Sequence, residues 1–181
     1  QVTLSISTVN DAPVLASVSD VSFAEDGSGS TSLSADDVDG DSLEFSITGG
    51  NQITASLSGT DVSFSAPTDY NGSESFTITV TDGELSDSQS ISVTVTAVND
   101  APVAHATSGE TAEDQSVVIS LSGSDIDGDN LSFSLDADAI NGSVTFDGSL
   151  ATYTPNINYN GDDSFTFSVS DGEYTSSASV S

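Results

Sequence analysis

Apolar residues along this chain fall on alternate positions. Phe76, Ile78 and Val80 alternate with threonine, Ile91, Val93 and Val95 with serine and threonine, and Phe165, Phe167 and Val169 do the same. A period of two sends successive side chains to opposite faces of a strand, so each run predicts a half-buried β-strand. Turn pairs such as Asn71-Gly72, Asp82-Gly83 and Asn141-Gly142 interrupt the runs. No stretch shows a helical stripe. Strands are expected over 14–23, 30–34, 42–48, 53–58, 61–65, 74–81 and 89–97. Seven short alternating strands in about 90 residues fit an all-β Greek-key sandwich.

The pattern occurs twice. VNDAPV at 9–14 returns at 98–103, an offset of 89. AED at 24–26 returns at 112–114, and DVDGD at 37–41 returns as DIDGD at 125–129, both offset by 88. DYNGSESFTITVTDGE at 69–84 matches NYNGDDSFTFSVSDGE at 158–173, again offset by 89. A one-residue slip therefore lies between the aspartate cluster and the tyrosine. Two tandem modules are expected, at 10–98 and 99–181, each long enough to fold alone. Residues 1–9 align with 90–98 and read as the last strand of a preceding repeat. Val180 aligns with Ile91, so the second module is expected to lack most of its own last strand. A start at Gln1, not Met, suggests an internal piece of a longer protein.

Charge narrows the function. The 181 residues hold 29 acids and no lysine or arginine, a formal net charge of −29. Fifteen acids lie in 10–98 and fourteen in 99–181, so the charge is built in throughout and is not a tail. Such a polyanion cannot neutralise phosphates, which excludes nucleic acid, and it has no apolar run of membrane-spanning length for direct insertion. Without cysteine there are neither disulfides nor thiolate metal sites. An extracellular chain of this kind needs another means of stiffening.

The aspartate clusters supply a candidate. Each packs three carboxylates into five residues, and every close pair costs about 1 kcal/mol in water and several times more at lower dielectric. A divalent ion turns that repulsion into attraction, and an all-oxygen set suits calcium. The clusters are not EF-hands: Asp37, Asp39 and Asp41 match the first ligands, but Ser42 stands where glycine is needed and Thr48 where glutamate is needed.

These motifs in this order resemble cadherin repeats, above all the cadherin-like tandem modules of large bacterial surface proteins and adhesins. SADDVDGDSLEFSI (34–47) is similar to the family's D-x-D segment and following strand. FAEDGSGSTSL (23–33) is similar to its early acidic strand, and VTDGELSDSQSISVTVTAVNDAP (80–102) to the stretch from the D-x-G turn into the N-D-x-P linker. The resemblance implies tandem immunoglobulin/cadherin-like sandwiches with calcium clamping the linker between successive repeats. For the internal linker it implies Glu25 and Asp69 from the lower repeat, Asn99 and Asp100 from the linker, and Asp125, Asp127, Asp129 and Asp171 from the upper repeat. The equivalent set at the first linker is Asn10, Asp11, Asp37, Asp39, Asp41 and Asp82. Glu113 and Asp114 would serve a repeat beyond the second. The family's acidic L-D-R-E motif is missing, with Asp69 near its place and Asn158 in the next copy.

Other conspicuous residues read as structural. Tyr70 and Tyr159 precede the penultimate strand, where a tyrosine hydroxyl pins a corner to backbone. His105 has no counterpart in the first copy and is expected at the surface. Asp162 and Asp163 imitate a glycosidase pair but lie in a repeated turn, and no nucleophile–base set emerges, so no enzyme is expected. The expected function is that of a calcium-stiffened extracellular spacer in a bacterial adhesin or filament. The alternative is a module that itself binds polysaccharide or associates homophilically in cell–cell or biofilm adhesion. Neighbouring repeats are the expected partners, together with head-to-tail self-association in which residues 1–9 of one molecule complete the second module of another.

Overall fold

The period-two runs form strands throughout both copies. The computed structural model describes residues 2–5, 7 and 9–181; Gln1, Ile6 and Thr8, part of the strand expected over 1–9, lie outside the described residues. Two compact units divide at Val98–Asn99, and among the described residues neither contains a helix. In residues 2–5 no strand forms, and Val2 and Leu4 are 98% and 84% exposed.

The first unit holds β1 (Val14–Leu15), β2 (Val21–Ala24), β3 (Ser28–Ser32), β4 (Ala35–Asp36), β5 (Glu44–Gly49), β6 (Thr54–Ser58), β7 (Asp61–Ser65), β8 (Gly72–Thr81) and β9 (Ser86–Thr96). One sheet has the order β2-β9-β8-β5 and the other β3-β7-β6, while β1 pairs with β4. The single strand expected over 14–23 is two. Its first part pairs antiparallel with β4, and its second runs parallel to β9. Between them Val18 is buried, and the Gln89 amide replaces the missing ladder by accepting from Val18 N–H at 3.1 Å and donating to Val18 C=O at 2.6 Å. Asp87 likewise accepts the Leu15 N–H at 2.9 Å. The strand expected over 30–34 is broken in the same way, with buried Leu33 between β3 and β4. Alternation reports which face of a strand is buried and cannot report a change of sheet.

The second unit repeats the plan with β10 (Val103–His105), β11 (Val117–Ser120), β12 (Ser122–Ser124), β13 (Ser132–Ala137), β14 (Gly142–Asp147), β15 (Leu150–Pro155), β16 (Phe165–Ser170) and β17 (Thr175–Val180). Its sheets are β13-β16-β17 and β11-β15-β14, with β10 paired to β12. The one-residue slip between the copies has a physical location. The β13–β16 register shifts between Leu135 and Ala137, so Asp136 is the extra residue, held in a β-bulge.

Inward-facing residues of the two sheets build each core. In the first unit Phe64 and Phe76 meet edge to face across the sheets with centroids 5.3 Å apart, surrounded by Ile78, Val80, Val93 and Val95. In the second, Phe165, Phe167, Val169 and Val180 pack with Ile119, Leu121, Val144 and Ala151. Burying a valine or phenylalanine side chain contributes about 1.5–3 kcal/mol, so these few positions dominate each unit's stability.

In a chain without lysine or arginine, several carboxylates are satisfied by backbone N–H groups. Glu74 accepts N–H bonds from Asn51, Gln52 and Ile53 at 2.6, 3.0 and 3.1 Å. Its counterpart Asp163 accepts from Ile140, Asn141, Ser164 and the Tyr153 hydroxyl. That set of bonds makes Asp163 a loop anchor, with its oxygens turned to the chain itself. Tyr159 donates to the Asp162 carbonyl at 2.6 Å, the expected backbone pin, whereas Tyr70 reaches the Glu74 carboxylate at 3.5 Å. His105 is exposed.

The N–H bonds from Gln52 and Asn51 hold Glu74 below the ordinary carboxyl value of 4.5. For Asp163 desolvation pushes upward, but the bonds from Ser164, Tyr153, Asn141 and Ile140 outweigh it and the net direction is down. A carboxyl lowered by folding contributes stability above its unfolded pKa and loses it as pH falls through the folded value. Stability of the first unit should therefore drop as pH falls below 4.5. Urea unfolding across that range should show a shallower drop for Glu74→Gln; identical pH profiles for variant and parent would contradict the anchor role.

Candidate metal centre

At one end of the first unit, the β1–β4 pairing lays the segment before Val14 beside the loop after Asp36. Asp37 opens that loop, and its Oδ1 accepts the N–H groups of Asp39, Gly40 and Asp41 at 2.9, 3.0 and 3.3 Å, an Asx turn closed on itself. Gly40 has φ +78° and its counterpart Gly128 +80°, in the left-handed region where a β-carbon costs about 1–2 kcal/mol. This turn brings one oxygen each of Asp37, Asp39 and Asp41 within 4.8 Å of one another. Asp125, Asp127 and Asp129 form the same group in the second unit, where Asp125 Oδ1 accepts the Asp129 N–H at 3.2 Å.

The conserved wiring extends to the linker residues of each unit. Asp39 accepts the Asp11 N–H and Asp127 the Asp100 N–H, both at 2.8 Å. The Asn10 amide donates to Asp82 and the Asn99 amide to Asp171, both at 2.9 Å. Asp82 and Asp171 are themselves fixed by the turns they close: each accepts two backbone N–H bonds, from Glu84 and Leu85 and from Glu173 and Tyr174. The bonds from Leu85, Glu84 and Asn10 hold Asp82 below the usual carboxylate range. At Asp171 desolvation opposes the shift, but the Asn99, Glu173 and Tyr174 bonds prevail and the net direction is again down. Both carboxylates stay ionised well into acid.

Six sequence-derived candidates thus gather in each unit: Asn10, Asp11, Asp37, Asp39, Asp41 and Asp82 in the first, Asn99, Asp100, Asp125, Asp127, Asp129 and Asp171 in the second. Glu25 and Asp69 lie at the other end of the first unit, beyond the ten residues of β8, or about 33 Å of strand. Glu25 is 6% exposed, donates its N–H to the Thr96 carbonyl and accepts the Val98 N–H in a short bond. Asp69 has φ +56° and donates its N–H to Asp26, as Asn158 does to Asp114. Asp26 and Asp114, like Glu74 and Asp163, anchor backbone N–H groups, a role the motifs did not indicate; recurrence at the repeat offsets was the available signal.

Asp37 Oδ2 and Asp125 Oδ2, equivalent atoms of the two copies, are buried and have no hydrogen-bond partner. A buried carboxylate oxygen without a donor is costly. The chain has no lysine or arginine to answer that charge, and a dissolved cation can. The surrounding atoms are oxygens at close range, so the residues fit a hard ion such as calcium.

Comparison with known proteins agrees with the fold. The family model described as a bacterial Ig domain matches twice, at residues 10–96 and 99–181. The crystal structure of human protocadherin-24 EC1-2 in form II aligns with a TM-score of 0.61 and 18% identity, covering 95% of this chain and all of that one. A second structure of the same fragment gives 0.55 and 16%, covering 96% and 98%. An endo-fucoidan hydrolase of glycoside hydrolase family 107 is 24% identical over 93% of this chain, which spans 28% of the hydrolase, with a TM-score of 0.40. No curated protein matches the chain.

If the orphaned oxygens face an ion, removing their charge has opposite effects with and without it. Asp37→Asn and Asp125→Asn should each weaken calcium binding at their own unit by about tenfold or more. In chelator the same variants should melt no lower than the parent, because a buried uncompensated charge is gone. Isothermal titration and thermal unfolding measure both; unchanged affinity would exclude these aspartates as ligands.

Proposed function

This chain belongs to the bacterial Ig domain family, as two consecutive copies, and on that premise we propose that it is a pair of calcium-stiffened spacer modules of an extracellular bacterial protein. The observation that carries the reading is the pair of buried, unpartnered oxygens on Asp37 and Asp125, at the same place in each copy. Calcium, when bound, supplies two positive charges to a group of carboxylates that otherwise repel one another. The chain's part is to present oxygens already in place. Asn10 and Asn99 orient Asp82 and Asp171, while the Asp11 and Asp100 N–H groups orient Asp39 and Asp127, so the linker segments are tied to the loops that take the ion. Glu25 and Asp69 belong to the proposal as ligands contributed by a preceding module, on the strength of the sequence resemblance. In this reading the ion stiffens the chain where it passes from one module to the next.

The proposed setting is outside the cell, where a terminal domain would be held at a distance. Among the described residues no helix is long and apolar enough to cross a membrane. Direct polysaccharide binding lacks a comparable support: of the large apolar residues that stand exposed, Tyr174 is the single aromatic among the described residues.

At calcium about a hundred times a site's dissociation constant, each site adds roughly 2.7 kcal/mol. The melting temperature should accordingly rise by more than about 10 °C over that in excess chelator, with magnesium substituting poorly because it demands compact octahedral geometry. Superimposable melting curves would refute calcium binding. Small-angle scattering should in addition show a narrower distribution of particle dimensions with calcium than with chelator; equal distributions alongside a raised melting temperature would leave binding intact and remove the stiffening role.

A further inference from the structure

The two units guard one sheet edge differently. In the first, β5 ends the order β2-β9-β8-β5. One side of it pairs with β8 through six regular residue pairs, Glu44–Thr81 to Gly49–Phe76, and among the described residues no strand pairs with its other side. Such an edge presents a row of N–H and C=O groups spaced to receive another strand. In the second unit the counterpart, β13, occupies the same edge of β13-β16-β17. There the extra residue Asp136 breaks the register in a bulge, and Asp138 follows two residues on. Bulges and charged side chains are two means by which sheet proteins keep an edge from pairing with another chain. The first unit has neither device at β5. Its pairing is unbroken, and residues 45–60, from β5 through β6, carry no charge, the longest such stretch in a chain of −29. Phe45 and Ile47 of β5 pack against the core but stay only partly buried, as inward side chains of a strand with one neighbour do.

We propose that β5 of the first unit pairs antiparallel with β5 of a second copy, joining two four-stranded sheets into one of eight strands. The strand is complementary to itself, and this argues for a second copy as the occupant. A pairing centred on Ile47 sets Ile47 opposite Ile47 of the other copy, Phe45 opposite Gly49 and Ser46 opposite Thr48. Inward residues then meet inward residues and outward meet outward, as one continuous sheet requires. On the outer face hydroxyl meets hydroxyl, the kind of cross-strand pair already present within the sheet, where Ser73 and Thr94 lie 2.7 Å apart. Charge agrees with the register. Glu44 is the single acid of β5, and the two copies of it fall at opposite ends of the pairing, about 20 Å apart along the strand, beyond the screening length of physiological salt. Backbone bonds supply the affinity and the alternation of Phe45 and Ile47 the register, as in other cases of strand addition. The same patch serves both partners, so the contact is isologous and closes at two copies. The remainder of each copy opposes association, and salt relieves that opposition.

Sedimentation velocity of the 181-residue chain in calcium and about 0.5 M salt provides the test. The mean mass should climb with protein concentration toward that of a dimer and no further. Ser46→Asp combined with Thr48→Asp sets like charges opposite one another in both outer pairs and should hold the chain as a monomer. Ser46→Lys combined with Thr48→Asp sets opposite charges in the same pairs and should restore the dimer. Ser132→Asp combined with Ser134→Asp adds the same charge to β13 and should leave the dimer intact. All four positions are exposed, so the variants should fold as the parent does. A parent that remains monomeric at every concentration overturns the proposal. So does a Ser46→Asp, Thr48→Asp chain that associates as the parent does, a Ser46→Lys, Thr48→Asp chain that stays monomeric, or a dimer lost equally through the changes in β13.

Discussion

With no lysine or arginine in the chain, a carboxylate drawn inward by folding has three possible partners: a backbone N–H, a neutral side-chain donor or a dissolved cation. The architecture is organised by how the first two are shared out. Asp87, Glu74 and Asp163, all partly buried, accept main-chain N–H groups where strands leave their sheets or where loops turn. Burial of an ionised group is tolerated because several N–H dipoles converge on it. At Asp37 and Asp125 that supply runs out for one oxygen each. The candidate metal centre is therefore the point at which the chain's own donors no longer meet the demand its acids create.

Much of this was legible in the sequence, and the reason is repetition. A period of two, met twice at an offset of 88 or 89, defines where strands lie and which residues face inward without any knowledge of neighbours. The aspartate groups, their glycines and the linker Asn-Asp pairs likewise announced themselves by recurring. What stayed hidden were relations that alternation does not encode. Val18 is buried in either sheet, so its side chain gives no sign that the strand around it changes partner, and Gln89, which bridges the gap, looks like any polar outward residue. Glu74 and Asp163 recur at the offset too, but neither the single acid nor the Asp162-Asp163 pair points to an anchor; their role depends on loops more than twenty residues away in sequence.

The comparison of the copies also shows how a module absorbs change. One inserted residue, Asp136, is expelled into a bulge near the end of β13, and every inward side chain before it keeps its face. Without the bulge, the insertion would exchange the inner and outer faces of the strand from that point on. Phe133 and Phe167 remain stacked at 6.3 Å, upstream of the disturbance.

The parallel pairing of β2 with β9 has a mechanical consequence. β2 follows the two-residue entry strand β1, β9 is the strand by which the chain leaves the first unit, and four consecutive residue pairs, Val21–Val93 to Ala24–Thr96, join them. Tension applied through the two ends of the unit draws parallel neighbours in opposite directions along their own length. The evenly spaced bonds of a parallel ladder then bear the load together and fail together, whereas an antiparallel pair pulled from one end parts bond by bond. The order in which the chain threads its sheet thus places a shear joint directly in the path of any force the module transmits.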